Sequence, residues 1–498
     1  MIGSTGKALA VVSLLVVGLY LPTLRTPFDF IDDGNLVYAA PAGTTNYVSL
    51  WWEKVVANYE HLGPFRPTLW IHWELFANLF QGSPLLWRTE RLIWCGLSAG
   101  MMMWWLCEMK INRLAAAIAT LAAMANPYRN EIWTSLTLAE GVAMPYAMLA
   151  LIAARKGALS PRAWLWDLTA LFGLVMALGC KNVFVALIPA MVVLRTWPDD
   201  QPLMPSIRRN GWRAALLATP TILVVAHIIY FKMHWHEGQY EMHSASLTQA
   251  VQYLKCLKGA MSFDFMAAGM VVAAIICLLP PRPAFRITPA FTAAIALVLS
   301  GIVVYLPMTM ISGRYSMPAV WGLDLLFALL LSHLLSRPSR FQVRFALLVL
   351  IVGLIATVVA SRGRQEKFTA RAQLLTKTLE RIEATAPQNA VIAWVSGDSL
   401  ADELDREEGI HFFWHLHARG RTDLKVMLLD REGKIIPRVE LPPIDPSVTP
   451  TIRITSHAEK LEGWSPPEGT EVTYWFGKKT FACWTSNKLE KTTLTRLP

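Results

Sequence analysis

The residues best equipped for chemistry stand near the start of the chain. In "TPFDFIDDGNLVY", Thr26–Tyr38, the acids Asp29, Asp32 and Asp33 crowd among Phe, Ile and Tyr, directly after the apolar run Leu9–Leu24. Ionised side chains beside lipid are costly, so adjacent carboxylates at the mouth of an apolar helix ask for a purpose. A carboxylate placed there suits a general base that takes the proton of an attacking hydroxyl. Cations recur downstream at Arg66, Arg88, Arg91, Arg129, Lys181 and Arg314. Guanidinium and ammonium groups suit a phosphate, whose growing charge they neutralise as it leaves.

The elements that must position these groups are mostly helices in a membrane. The chain has 498 residues, 54% of them hydrophobic and 16% charged, with a mean hydropathy of +0.37. A water-soluble chain carries roughly a quarter charged residues. The 20 Trp suit membrane interfaces. About eleven spans are expected, at roughly 17–25 apolar residues each, centred near Leu15, Leu97, Ile118, Met148, Leu171, Leu187, Val224, Ala273, Leu297, Leu326 and Leu350. The first, with Lys7 ahead of Ala8–Leu24, lacks a small-x-small cleavage site and reads as a retained helix rather than a signal peptide.

Basic residues in alternate gaps set the orientation. Lys7, Lys110, Arg113, Arg155, Lys156, Arg162, Arg195, Arg208, Arg209, Arg213, Arg282, Arg286, Arg337, Arg340 and Arg344 all fall on one side, which the positive-inside rule makes cytoplasmic. Thr26–Leu86, Asn126–Glu140, Cys180–Asn182, Met233–Asp264 and Pro307–Arg314 then face outward. So does everything beyond Ser361, where a charged helical stretch precedes the strand-like runs "VIAWV", "LKVMLLD", "TIRITS" and "EVTYWF". The expected fold is a polytopic α-helical membrane domain over residues 1–361 and an extracytoplasmic α+β domain over 362–498. Within the first outer loop, "SLWWEKVVANYEHLG" and "TLWIHWELFANLFQG" alternate apolar and polar faces at helical spacing and predict two interfacial helices, apolar side down. Lys54, Asn58 and His61 share one face of the first; Glu74, Asn78 and Gln81 share one face of the second.

Acids beside an aqueous loop, with cations at membrane depth, suit transfer of a sugar from a polyprenyl-phosphate donor to a hydroxyl. A polytopic transporter or flippase of lipid-linked sugars is the alternative. It should gather its ionisable residues or broken helices at the bilayer midplane, whereas here they gather at one face.

The order of motifs resembles the GT-C glycosyltransferase superfamily, and within it the protein O-mannosyltransferase-like branch whose eukaryotic members carry tetratricopeptide arms. "FDFIDDGNLVY" resembles the acidic motif after the first helix. "GPFRPTLWIHWELFANLFQGSPLLW" is similar to the Tyr-Arg-Pro segment, with Phe65 for Tyr. "NPYRNEIWTSLTLAEGV" resembles the second outer loop, with Asn126 for His and Glu131 as its acid. "GCKNVFVALIPAMVVL" looks like the Lys-Glu turn, with Asn182 for the acid, and "YLPMTMISGRYSMPAVWG" is similar to the late Arg-Tyr motif. The resemblance covers Pro27–Gly322. No 34-residue helical period follows it, so the tetratricopeptide arm has no counterpart.

This resemblance implies an inverting transferase on the outer face. The base would be Asp32, which matches the family's first acid, or its neighbour Asp33. Glu131 would orient the acceptor, tune the base or help hold a divalent cation near Asp32 and Asp33. No metal ligand set is otherwise assigned. Arg314, Lys181 and Arg66 would meet the donor phosphate, while Tyr315 and His61 would position donor or acceptor. The partners implied are a polyprenyl-phosphate sugar and a hydroxyl acceptor that is a lipid, glycan or protein; nucleic acid is not expected. Departures at Asn126 and Asn182 also leave room for an inactive scaffold. Arg88 and Arg91 read as partners of Glu90 or of lipid headgroups.

Other motifs read more plainly. "HWHEGQYEMH" lacks a zinc spacing and reads as a polar loop, and "HFFWHLHARG", His411–Gly420, reads as a half-buried helix. The 6 Cys form no framework; Cys256 and Cys483 fall outside the expected spans. No Asn-x-Ser/Thr site occurs in the outward regions, which favours a bacterial inner membrane, N-terminus cytoplasmic and C-terminal domain periplasmic.

Overall fold

Apolar side chains point outward along much of the protein. In its computed structural model, Leu14, Leu223 and Phe341 are 69%, 74% and 79% exposed, while Arg88, Glu90, Arg91 and Glu140 are buried. Folding in water sorts side chains the other way; folding in lipid rewards this arrangement. The residues described are 2–29, 33–34, 36, 47–62, 65–80, 82–198, 201–234, 250–251, 253–255, 257–258, 287–305, 316–336, 340–395, 400–430, 433–438, 441–445, 447–448, 450, 452–455, 472–476, 480–485 and 488–493.

The helices are α1 (Ile2–Tyr20), α2 (Tyr47–Leu62), α3 (Pro67–Phe80), α4 (Pro84–Glu108), α5 (Arg113–Ala125), α6 (Glu131–Thr134), α7 (Ala139–Leu159), α8 (Ala163–Cys180), α9 (Ile188–Thr196), α10 (Leu203–His234), α11 (Pro289–Tyr305), α12 (Ala319–Leu335), α13 (Arg340–Thr385) and α14 (Leu400–Ala418). Local sequence sets several of their starts. Pro84 follows Ser83 at the head of α4, where its missing N–H costs nothing. The Asn112 side chain caps α5 by accepting the Leu114 N–H.

Four described segments are long and apolar enough to cross a membrane: Thr5–Arg25, Ala139–Leu159, Ala163–Cys180 and Arg340–Ala384. Arg113–Ala125, Asn182–Thr196, Pro289–Tyr305 and Ala319–Leu335 are apolar but shorter. With 13 residues, α5 rises only about 20 Å against a hydrocarbon core about 30 Å thick. Helices occupy every expected span centre that is described; the one near Ala273 lies outside the described residues. The short helices are possible because neighbours cover them. Ala115, Ala116 and Ala119 of α5, and Ala147, Ala150 and Leu151 of α7, belong to one continuous core.

Side-chain contacts sort the connections into two faces. On one, Asn112 N–H donates to Ser332 Oγ, Glu108 meets Lys156, and Asp167 binds Arg195 and Arg213. These are segments expected to be cytoplasmic. On the other, Thr26 meets Thr369, Asn130 donates to the Ser361 carbonyl, and Arg364 donates to the Pro127 carbonyl. These are segments expected outside.

At 46 residues, α13 is unbroken across the boundary placed at Ser361. Its apolar half exposes Phe345, Leu348, Ile351, Val352, Ile355 and Val359, and its charged half continues as a stalk. The stalk leads to β1 (Val391–Val395), β2 (Lys425–Leu429), β3 (Ile452–Thr455), β4 (Val472–Phe476), β5 (Thr480–Thr485) and β6 (Lys488–Thr493). They form one sheet in the order β2-β1-β3-β4-β5-β6, parallel from β2 to β4 and antiparallel through β5 and β6. The strand-like runs all become strands. Helix α14 crosses from β1 to β2, as parallel neighbours require, and shares a separate core with Leu375, Ile382, Trp394 and Leu428.

The helices α2 and α3 exist, but their polar residues do not all face water. Glu74, Leu69 and Trp73 are buried while Ile71, Leu75 and Leu79 are exposed. Lys54 of α2 reaches Glu74 at 3.1 Å, so the two helices turn a charged pair towards each other and an apolar face out. Burial pushes Lys54 down and Glu74 up, each against the pull of its partner, so desolvation outweighs pairing in this contact.

Candidate active site

Asp33 joins the first acidic turn to the second loop. It follows the 3-10 turn Leu21–Arg25 that ends α1, and its side chain is fully buried. Both oxygens are engaged. Oδ2 accepts the Asp29 N–H at 2.9 Å, and Oδ1 accepts the Leu136 N–H of the second outer loop at 3.3 Å. Arg88 Nη2 lies 3.6 Å from Oδ2. A carboxylate held this way fixes two loops to each other.

Arg88 is the hub of the arrangement. Its Nε donates to the Thr26 carbonyl at 3.2 Å, Nη2 to the Pro27 carbonyl at 2.9 Å, and Nη1 to the Thr134 carbonyl. A planar fork of donors thus ties both loops to α4. One turn later Arg91 donates to the Leu136 carbonyl. Its guanidinium lies within electrostatic range of both Asp33 and Glu140, and it occupies the space that a side chain at Gly141 would need. Of the partners expected for these arginines, Glu90 is found at Arg91, where it is the strongest charge acting on the guanidinium, while Arg88 faces Asp33 and Asp29 instead; Glu90 also meets His72 at 3.0 Å. The spacing of three residues, which puts Arg88 and Arg91 on one helix face, was the available signal.

Lys181 caps the end of α8 and forms an ion pair with Glu140 at the head of α7. Glu140 is 1% exposed and was not singled out, although it lies within the second-loop motif. Glu131 begins the short helix α6 and is half-buried. Nearby Arg129 makes a two-pronged bond to Asp324 of α12, at 2.7 and 2.9 Å. Asp324 was also missed, because an acid inside an apolar helix gives no sign of its partner. Arg66 precedes α3, is half-buried, and acts electrostatically on Cys180 beside Lys181.

The structure therefore brings Asp33, Arg88, Arg91, Glu140 and Lys181 to the outer ends of α1, α4, α7 and α8. Asp32, Arg314 and Tyr315 lie outside the described residues, as does the His61 side chain. Among the described residues no group of three His, Cys, Asp or Glu is placed to hold a metal ion. A divalent cation at Asp32, Asp33 and Glu131 would need available carboxylate oxygens. Each oxygen of Asp33 accepts one N–H, and Asp32 lies outside the described residues.

These features describe a polytopic membrane protein with clusters of buried charge, the one at Asp33, Arg88, Arg91, Glu140 and Lys181 tying several helices together. No protein-family model and no curated protein matches the chain. Among the solved structures similar to it, two share 15% identity. ArnT from Cupriavidus metallidurans bound to undecaprenyl phosphate aligns over 84% of this chain and 85% of its own, with a TM-score of 0.46. ArnT from Cupriavidus metallidurans in the apo state aligns over 85% and 86%, with a TM-score of 0.48. The comparisons give no support to the protein O-mannosyltransferase-like branch.

Proposed function

We propose that the chain is an inverting membrane glycosyltransferase of GT-C type, moving a sugar from a polyprenyl-phosphate donor to a hydroxyl acceptor on the outer face. The observation that carries this reading is the joining of the first acidic turn, the second outer loop and the Lys181–Glu140 pair through Arg88 and Arg91. A carboxylate turn and buried cations are assembled where a lipid phosphate would sit, inside a bundle that exposes apolar side chains. A scaffold without chemistry would gain little from burying so many charges.

In this reading Asp32 is the base and Asp33 is the brace beside it. Asp32 takes the acceptor hydroxyl proton as that oxygen forms its bond to the anomeric carbon. The bond from that carbon to the phosphate oxygen breaks, and its electron pair leaves with the phosphate. Direct displacement inverts the anomeric centre. Arg314, Arg66 and Lys181 neutralise the leaving phosphate, with Lys181 held by Glu140 until the donor arrives. Glu131, Tyr315 and His61 position donor or acceptor. No step is routed through a cation. The charge pattern of the loops supports an outward C-terminal unit, and the lack of Asn-x-Ser/Thr sites supports a bacterial inner membrane.

The test is release of polyprenyl phosphate from a purified polyprenyl-phosphate sugar by the reconstituted protein. Asp32→Asn should lower that release by about 100-fold or more, the range of a general base. Equal release from Asp32→Asn and the unaltered protein would sink the assignment.

A further inference from the structure

The histidine-rich helix α14 has no task in the mechanism above, yet it is applied directly to the acidic turn. His411 and His415 stand one helical turn apart and are 6% and 4% exposed. A Cβ at Gly34 would lie 2.6 Å from His411 Nδ1 and 2.9 Å from its Cβ, so only glycine fits there while the ring stays put. The His415 ring lies 5.9 Å from that of Phe28 and meets the backbone of Asp29. The stalk of α13 adds further contacts. Thr369 and Thr26 share a hydroxyl hydrogen bond of 2.7 Å, Arg371 Nε lies 3.6 Å from Asp29 Oδ1, and the Phe368 ring faces Arg88 at 5.6 Å. Thr26, Pro27 and Asp33 are therefore held from the bundle side by Arg88, while Thr26, Phe28, Asp29 and Gly34 meet α13 and α14 from the other.

We propose that His411 and His415 are positioning residues, through which the C-terminal unit sets the acidic turn for transfer; this rests on the glycosyltransferase reading. A base must be held within a fraction of an ångström of its productive place. A turn anchored only on its inner side would leave its outer half unconstrained. His415 faces the Asp29 backbone, the His411 ring and the Arg419 charge; Arg371 lies against the Asp29 carboxylate, and Arg88 and Asp33 lie beyond the turn. Burial pushes both rings down to about 3. A proton added to either ring would place a charge in a buried contact, and at His415 it would also face Arg419.

The experiment uses the full chain in lipid nanodiscs, with polyprenyl-phosphate release as one readout. Gly34→Ala should lower release by roughly tenfold or more, because the added methyl must displace the turn or the ring. His411→Gly in the same chain removes both the ring and the Cβ that the new methyl would meet and should recover part of that loss, the remainder being the positioning that the ring supplied. Full activity of Gly34→Ala, or no recovery in the pair, overturns the proposal. His411→Ala with His415→Ala should lower kcat and leave the KM for the donor in place; an unchanged kcat also overturns the proposal. Thr26→Cys with Thr369→Cys should form a disulfide on oxidation, and the locked protein should still transfer. A locked but inactive protein would make the C-terminal unit a cover that must open, and would overturn the positioning role. If the unaltered protein releases no polyprenyl phosphate, the transferase reading fails. Disulfide yield then decides separately whether the contact exists, and absence of the disulfide overturns the contact.

Discussion

Asp33 and Arg88 form the kind of buried ion pair whose single loss costs more than its presence contributes. Asp33→Asn leaves a wholly buried guanidinium without its facing charge, although its three carbonyl partners remain. A loss of about 3–5 kcal/mol is expected for breaking such a pair, read as a lower denaturation temperature in detergent. The same substitution at Asp32 should remove activity at unchanged stability, which separates brace from base. Lys181 and Glu140 make a second test of pairing. Glu140→Gln and Lys181→Met should each destabilise, and the double variant should fall short of their sum by about 0.5–3 kcal/mol, as coupled neighbours do. Fully additive losses would show that the two side chains do not interact. At this scale the sequence was partly legible. The Asp32–Asp33 turn and Lys181 stood out as charges in an apolar setting, whereas Glu140 and Asp324 drew no attention because their meaning lies in partners 41 and 195 positions away.

Among the elements, α14 and the α2–α3 pair show how burial, more than charge, decides behaviour. Periodicity foretold α14 as a helix but made it half-buried; His411 and His415 are in fact covered, because the acidic turn packs on the face that the isolated pattern left polar. Their rings lie at about 3 in the folded protein, against 6.5 for an ordinary imidazole. Between those values the unfolded chain binds protons that the folded chain refuses. Stability is therefore flat above about pH 6.5 and falls as pH drops towards 3, by up to about 1.4 kcal/mol per unit for each ring. Thermal unfolding at pH 5 should come well below that at pH 7.5, and His411→Asn with His415→Asn should shrink the gap. An equal gap in that variant would assign the acid sensitivity elsewhere. In the α2–α3 pair, Lys54 is 19% exposed and Glu74 2% exposed in their side chains. Lys54→Met strands a buried carboxylate and should destabilise more than Glu74→Gln, which leaves an amine able to reach water. The reverse order would mean that Glu74 is solvated. Helical spacing identified both helices, but spacing alone cannot tell a face turned to water from a face turned to a neighbour.

At the scale of the whole molecule, loop charge was the most legible feature, because it reports a property of the chain rather than of any contact. Lys and Arg counts assigned gaps to two sides, and side-chain contacts sort the same gaps into two faces. The number of full crossings was less legible. Hydropathy marks a helix such as α5 as apolar, but its 13 residues are shielded by neighbours rather than sized to the bilayer. The division of faces predicts a labelling pattern in intact cells. A cysteine at Ser160, between α7 and α8, should react with a membrane-impermeant maleimide only after permeabilisation. A cysteine at Asn389, in the exposed turn before β1, should react from outside. Replacing the 6 native cysteines by serine or alanine first leaves each introduced thiol as the one that reports. Because α13 carries the stalk straight out of the apolar bundle, the two sites must lie on opposite sides. Labelling of both from the same side would overturn the two-faced arrangement, and with it any outward-facing site at Asp32.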